Sequence, residues 1–119
     1  MSDVQLQWIE NQIIESERKG QHVVIFSHHP IFPPGPLNML NDSQFLSMIG
    51  KHGNVKAFFN GHNHLGNYGE INGVPYVTIS GVIEGDGNAY GVVRLLESGT
   101  GVVQGYERQM SYTWGNTRI

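Results

Sequence analysis

Apolar and polar positions alternate along the chain in two successive helix–strand units, followed by shorter hairpin-like segments. Ser2-Asp3-Val4-Gln5 reads as a capping box, with Ser2 the N-cap and Gln5 three residues on. Leu6, Ile9 and Ile13 follow at helical spacing, and Val4, Trp8 and Ile14 widen the apolar stripe. Arg18-Lys19-Gly20 then supplies a basic last turn and a stop. His22-Val23-Val24-Ile25-Phe26-Ser27 is β-branched and apolar without alternation, the pattern of a strand buried on both faces. Residues 30–40 hold four prolines and a glycine with no period and read as a loop. Asp42 is placed to cap a second helix, with Phe45, Leu46, Met48 and Ile49 on its buried side and Gly53 at its end. Val55-Lys56-Ala57-Phe58-Phe59 is a second buried strand, and residues 60–66 form the loop after it.

The remainder reads as β. Residues 68–71, Asn72-Gly73 and residues 74–79 make a hairpin with a type I′ turn, Pro75 being tolerable on an edge strand. Residues 82–88 are a glycine-rich loop carrying Glu84 and Asp86, and residues 89–97 and 102–108 pair across Ser98-Gly99-Thr100-Gly101. The tail, residues 109–119, shows no clear period and is expected to be disordered or to belong to a missing contact. Helix followed directly by buried strand, twice, is the unit of an α/β layered fold. If the two buried strands are parallel neighbours, the segments following them open at one edge of the sheet.

Composition narrows this picture. At 119 residues there is room for one domain or half of a larger one. With 39% apolar and 14% charged residues the chain is globular, and its formal charge of −3 gives no support for binding nucleic acid or an anionic membrane. Cysteine is absent, which excludes disulfides, thiolate metal sites and cysteine nucleophiles. No apolar run reaches transmembrane length and the N-terminus is a polar helix rather than a signal peptide, so a cytoplasmic protein is expected.

The chemistry concentrates in Ser27-His28-His29-Pro30 and Gly61-His62-Asn63-His64, each just after a buried strand. A single histidine at a loop entry is ordinarily a hydrogen-bonded polar residue. Two strand-end clusters, one of them His-x-His, point instead to metal ligation, because neutral imidazoles need only aim their lone pairs at one centre. His28, His62 and His64 are the candidate ligands. His29, next to His28, would point the other way on extended backbone and is placed at the substrate or in a supporting position. His22 and His52 are expected to face solvent, and Asn63 to be a turn residue beside the ligands. Glu84 and Asp86 could be carboxylate ligands, although Gly-Asp-Gly is more often only a turn. The proline-rich loop and Tyr68 are candidate substrate-side walls.

His28-His29-Pro30 at a strand end and Gly61-His62-Asn63-His64 resemble the C-terminal half of the calcineurin-like metallophosphoesterase superfamily. Gln5-Leu6-Gln7-Trp8, Val24 to His28, Phe58 to His64, Gly81-Val82-Ile83-Glu84 with Ala89-Tyr90-Gly91, and Gly105-Tyr106-Glu107-Arg108 resemble, within it, the manganese-dependent ADP-ribose/CDP-alcohol diphosphatases. The resemblance covers nearly the whole chain. It implies an α/β fold, half of a four-layer α-β-β-α sandwich with a mixed sheet and flanking helices. It also implies a phosphohydrolase using two divalent ions (Mn, Fe or Zn) on a nucleotide-like phosphate substrate. His28 and His62 would ligate one ion and His64 the other, with His29, Asn63 and Tyr68 at the substrate. The Asp-x-His, Gly-Asp-x-x-Asp and Gly-Asn-His-Glu segments of such enzymes do not occur here, and Gly85-Asp86-Gly87 follows the His-x-His segment rather than preceding it. The chain is therefore expected to hold part of a site, to be inactive or weakly active alone, and to lack an N-terminal half or to self-associate through an exposed apolar face. The rival reading is a non-catalytic domain that binds a metal ion or a protein partner.

Overall fold

Residues 1–81, 89–97 and 101–114 are described in the computed structural model of the chain. Helix α1 (Asp3–Arg18) starts at the expected capping box, with the Gln5 N–H donating to Ser2 Oγ and the Ser2 N–H donating to Gln5 Oε1. It ends where Gly20 takes a φ of 68°. The Gly20 N–H then donates to Glu17 O and the Gln21 N–H to Ser16 O, the paired bonds of a Schellman end. Leu6, Ile9 and Ile13 pack inward, but Val4 and Trp8 are 80% and 62% exposed and Ile14 is also exposed. The apolar stripe is thus narrower than the sequence pattern predicts, because one three-residue face suffices to cover this part of the sheet.

Strand β1 (Val23–Ser27), helix α2 (Asp42–Gly50), β2 (Val55–Asn60), β3 (Asn67–Ile71) and β4 (Val74–Thr78) build one mixed sheet in the order β1-β2-β4-β3. β1 and β2 are parallel, as are β2 and β4, and β3 returns antiparallel to β4 across Asn72-Gly73, both at positive φ as a type I′ turn requires. α2 ends at Gly50, before the expected Gly53, and its N-cap is Asn41 rather than Asp42. β2 carries an irregularity: Val23 pairs with Val55 but Val24 with Ala57, which leaves Lys56 over. The extra residue lets a lysine sit in an otherwise buried strand, its Nζ donating to the Gly53 carbonyl at 2.9 Å.

A second antiparallel sheet, β5 (Ala89–Leu95), β6 (Gly101–Glu107) and β7 (Tyr112–Trp114), lies against the first. Phe58, Val55 and Tyr76 face the helices with Ile13, Phe45, Met48 and Ile49, while Ala57, Phe59 and Val77 face Val103 and Trp114. The chain therefore contains three layers, helices on sheet on sheet, and its own second sheet covers the face expected to be bare. Part of the tail expected to lack order is β7, whose Trp114 is 2% exposed and packs against Gly101, where a side chain would collide with the indole. The exposed apolar positions gather instead at Phe26 (75% exposed) on edge strand β1 and along β5 at Tyr90, Val92, Val93 and Leu95. Among the described residues no helix is long and apolar enough to cross a membrane. Glu84 and Asp86 lie outside the described residues.

His52 is not solvent-facing as expected: its Nε2 lies 3.0 Å from Glu10 Oε2 and the pair joins α2 to α1. The hydrogen bond from His52 holds the Glu10 carboxyl below its ordinary value, outweighing the desolvation that would raise it, with the charges of Lys51 and His52 adding to the effect. A carboxyl lowered on folding contributes stability in full above its unfolded value and loses it as pH falls through the folded one. The stability gap between the native chain and His52→Ala, followed by urea unfolding, should therefore narrow as pH drops from about 5 towards about 3. A gap constant across that interval would count against the pair. The two tryptophans should differ sharply. Trp114→Ala is expected to cost about 3–5 kcal/mol and Trp8→Ala no more than about 0.5 kcal/mol in the same measurement, and comparable losses would contradict the packing.

Candidate metal centre

The register of the mixed sheet places the site. Ser27 is level with Asn60, and Asn60 with Thr78, so three parallel strands end on one line. Everything that follows them opens at the same sheet edge, where α/β folds present chemistry. Beneath that edge Asn60 and Thr78 form a buried reciprocal pair, Asn60 Nδ2 donating to Thr78 Oγ1 at 3.0 Å and the hydroxyl donating to Asn60 Oδ1 at 3.2 Å. Asn60 Nδ2 also reaches the Gly61 carbonyl at 2.9 Å, and the Gly61 N–H donates to the His28 carbonyl at 3.0 Å, tying the two histidine segments together.

The turn after β2 is sharp. The Asn63 N–H donates to the Gly61 carbonyl at 2.8 Å across His62, whose φ is 68°. This is a three-residue turn with its central residue in the left-handed region, an arrangement a non-glycine residue adopts only at a cost. Such strain is found where a side chain must be aimed. It aims the His62 ring at β1: His62 Nδ1 lies 3.1 Å from His28 Nε2. Two donors about 2.1 Å from one ion and about 90° apart are separated by about 3 Å, so this spacing suits ligands sharing an ion.

His29 joins the same cluster. Its ring centroid is 4.9 Å from that of His28 and 4.4 Å from that of His62. One nitrogen from each of His28, His29 and His62 lies within 4.8 Å of the others. This corrects the expectation that His29 points away. β1 ends at Ser27 and the chain bends at residues 28–29, so alternation along extended backbone no longer applies. His62 is the half-buried member, and desolvation, then the charges of His29, His28 and His64, lower its proton affinity and favour the neutral ring that ligates.

His64 is exposed and stands outside the three-histidine cluster; its ring packs on Gly81, and its carbonyl accepts the Gly81 N–H at 2.8 Å. Asn63 lines a small cavity of about 110 Å³ with Asn38, Thr78 and the prolines of the loop. Tyr68 turns into the seam between the sheets, stacked on Tyr112 at 4.3 Å, with its hydroxyl donating to Thr113 O at 3.4 Å. Burial and the neighbouring Glu70 push its phenol up to about 12, so it remains neutral. Sequence reasoning missed Asn60, Thr78, Ser80 and Gly81 as supports; the polar Asn60 closing an otherwise apolar strand was the available signal. Imidazole nitrogens are donors to divalent transition-metal ions, and these three rings stand close enough to share one.

The mixed sheet, with helices on one face, a second sheet on the other and histidines at the ends of its parallel strands, matches the fold of a solved dimetal phosphatase. A dimetal phosphatase from Danio rerio superposes with a TM-score of 0.87 at 32% identity, over 95% of this chain and 38% of that one. Proteins named manganese-dependent ADP-ribose/CDP-alcohol diphosphatase match from Xenopus laevis (32% identical, 94% of this chain), Bos taurus (39%, 79%) and Homo sapiens (38%, 79%). The chain shares the fold of the dimetal phosphatase, and over most of its length it is similar in sequence to these manganese-dependent diphosphatases. It spans about a third of their length, 34%, 30% and 29% respectively. No protein-family model matches the chain.

Proposed function

We propose that this chain supplies one side of a dimetal phosphohydrolase centre. The bonds hydrolysed are the phosphoanhydride or phosphodiester bonds of nucleoside-diphosphate-linked compounds, of the ADP-ribose or CDP-alcohol type. One observation carries the reading: the level ends of β1 and β2 bring His28, His29 and His62 within coordinating distance of one another. His28 and His62 are the donors to one ion, and His64 is assigned to the other. His29, within the same cluster, and Asn63, at the proline-rich cavity, are the substrate-side residues. Tyr68, engaged in the seam, is left out. Divalent ions, when bound, supply Lewis-acid stabilisation of charge developing on phosphoryl oxygens and make water a better nucleophile. The protein's part is to hold neutral imidazoles on rigid strand ends so that little reorganisation is needed.

The cluster contains no carboxylate among the described residues, and two-ion sites need bridging and further donors. With the chain spanning about a third of its relatives, the remaining donors are assigned to polypeptide beyond these 119 residues, an N-terminal portion or a second copy. The exposed apolar positions of Phe26 and β5 suit burial by it. The same all-histidine donor set favours the second reading, a domain that binds metal without catalysis.

Manganese titration of the purified chain, with ADP-ribose hydrolysis assayed alongside, separates these. His28→Ala and His62→Ala should each weaken manganese binding by about tenfold or more, while His22→Ala, altering an exposed residue at the entry to β1, should not. Equal uptake by all three variants would refute the metal assignment. Manganese binding without hydrolysis, even when the remaining portion of a relative is added, would favour the non-catalytic reading.

A further inference from the structure

Gly105-Tyr106-Glu107-Arg108 is among the segments that carry the family likeness, yet it contributes no donor to the histidine cluster. Its geometry is nevertheless tightly specified. Gly105 lies so close to the carbonyl oxygens of Gln109 and Met110 that a side chain there would collide with both. Its N–H donates to Ser111 Oγ at 2.9 Å. Glu107 takes a positive φ of 57°, and the Gln109 N–H donates back to the Tyr106 carbonyl at 3.1 Å. The chain thus folds back at the end of β6 and delivers two consecutive side chains to one place. Arg108 Nη2 donates to the Gly81 carbonyl at 2.8 Å, and buried Gln109 accepts the Ser80 N–H on Oε1 at 2.7 Å.

Residues 80 and 81 in turn grip the histidine loop. The Gly81 N–H holds the His64 carbonyl at 2.8 Å. A Cβ at position 81 would stand 2.9 Å from Cβ and from Cγ of His64, so the imidazole rests directly on glycine backbone. Ser80 Oγ donates to the Leu65 carbonyl at 3.5 Å, and a Cβ on Gly66, whose φ is 79°, would come within 2.6 Å of Ser80 Oγ. The second sheet therefore reaches the His-x-His loop through two peptide units, each held by a separate side chain.

We propose that Arg108 and Gln109 are positioning residues for His64, fixing the 80–81 backbone as the clamp against which its ring is oriented for metal binding. The proposal rests on the assignment of His64 as a metal donor. A guanidinium is suited to the task because a charged donor holds a carbonyl more strongly than a neutral one. Removing the Gln109 amide leaves the Ser80 N–H buried without its acceptor, which favours departure of the segment from its place.

The test follows histidine ring signals of the full chain by NMR, first without metal and then with added Mn²⁺, whose paramagnetic broadening reports even weak binding. Arg108→Ala and Gln109→Ala should each shift the His64 ring signals in the metal-free chain while leaving those of His22 in place. Both should weaken manganese binding at His64 by about 10–100-fold, and Arg108→Lys, which keeps a cationic donor, should recover part of the loss. In a His64→Ala background Arg108→Ala should add nothing further. Gly81→Ala leaves both side chains intact and crowds the ring directly, so it should give the same His64 shift should either truncation fail to fold. His64 signals unmoved by these variants, or a loss of manganese that adds in full to that of His64→Ala, would overturn the proposal. His64→Ala binding manganese like the native chain would overturn the metal assignment, and the metal-free shift of His64 separates that failure from failure of the clamp.

Discussion

The parallel pairing of β1 with β2 is the constraint on which the rest depends. β2 is an apolar run packed on both faces, which fixes its register. β1 lies at the sheet edge with Phe26 exposed, so it is not buried on both faces as its apolar run suggested. Here the register brings Ser27 level with Asn60, and a slip of one residue would turn Phe58 and Phe59 to the wrong layers. It would also separate His28 from the turn that carries His62. The hydrogen bond from the Gly61 N–H to the His28 carbonyl is the first contact beyond the strands, and the strained turn at His62 is tolerated because that contact and the Asn60–Thr78 pair hold its base.

Much of this was legible in the sequence, because the strongest signals were local and unambiguous. The capping box at Ser2, the Asn72-Gly73 turn and the apolar runs after His22 and at Val55 each led to the element found. What was not legible depended on partners remote in sequence. Trp114 lies in a tail without period, and only the seam between the sheets makes it core. Val4 and Trp8 continue a helical stripe, but no described residue buries them and they are largely exposed. His52 follows a helix end and looked exposed, yet it meets Glu10 from the other helix.

The site shows the same division. His28 and His62 were identifiable as a pair because each follows an apolar strand, and parallel pairing makes such positions neighbours. The direction of His29 was not legible because alternation stops at the strand's end, where a bend moves the ring to the side of His28 and His62. Tyr68 looked available as a wall because its stacking partner, Tyr112, is 44 residues away in a segment with no sequence signal. The layers are also coupled: the same second sheet that buries Phe59 and Val77 extends Arg108 and Gln109 to the backbone beside His64. Packing and chemistry share elements, which is why a short chain can present an ordered histidine cluster.

The most direct measurement is anomalous diffraction from crystals of the chain soaked in manganese. The account predicts a manganese peak between His28 and His62, with both ring nitrogens about 2.2 Å from it. A peak elsewhere, or none there at saturating manganese, would contradict the claim that the ends of β1 and β2 are built to hold a metal ion.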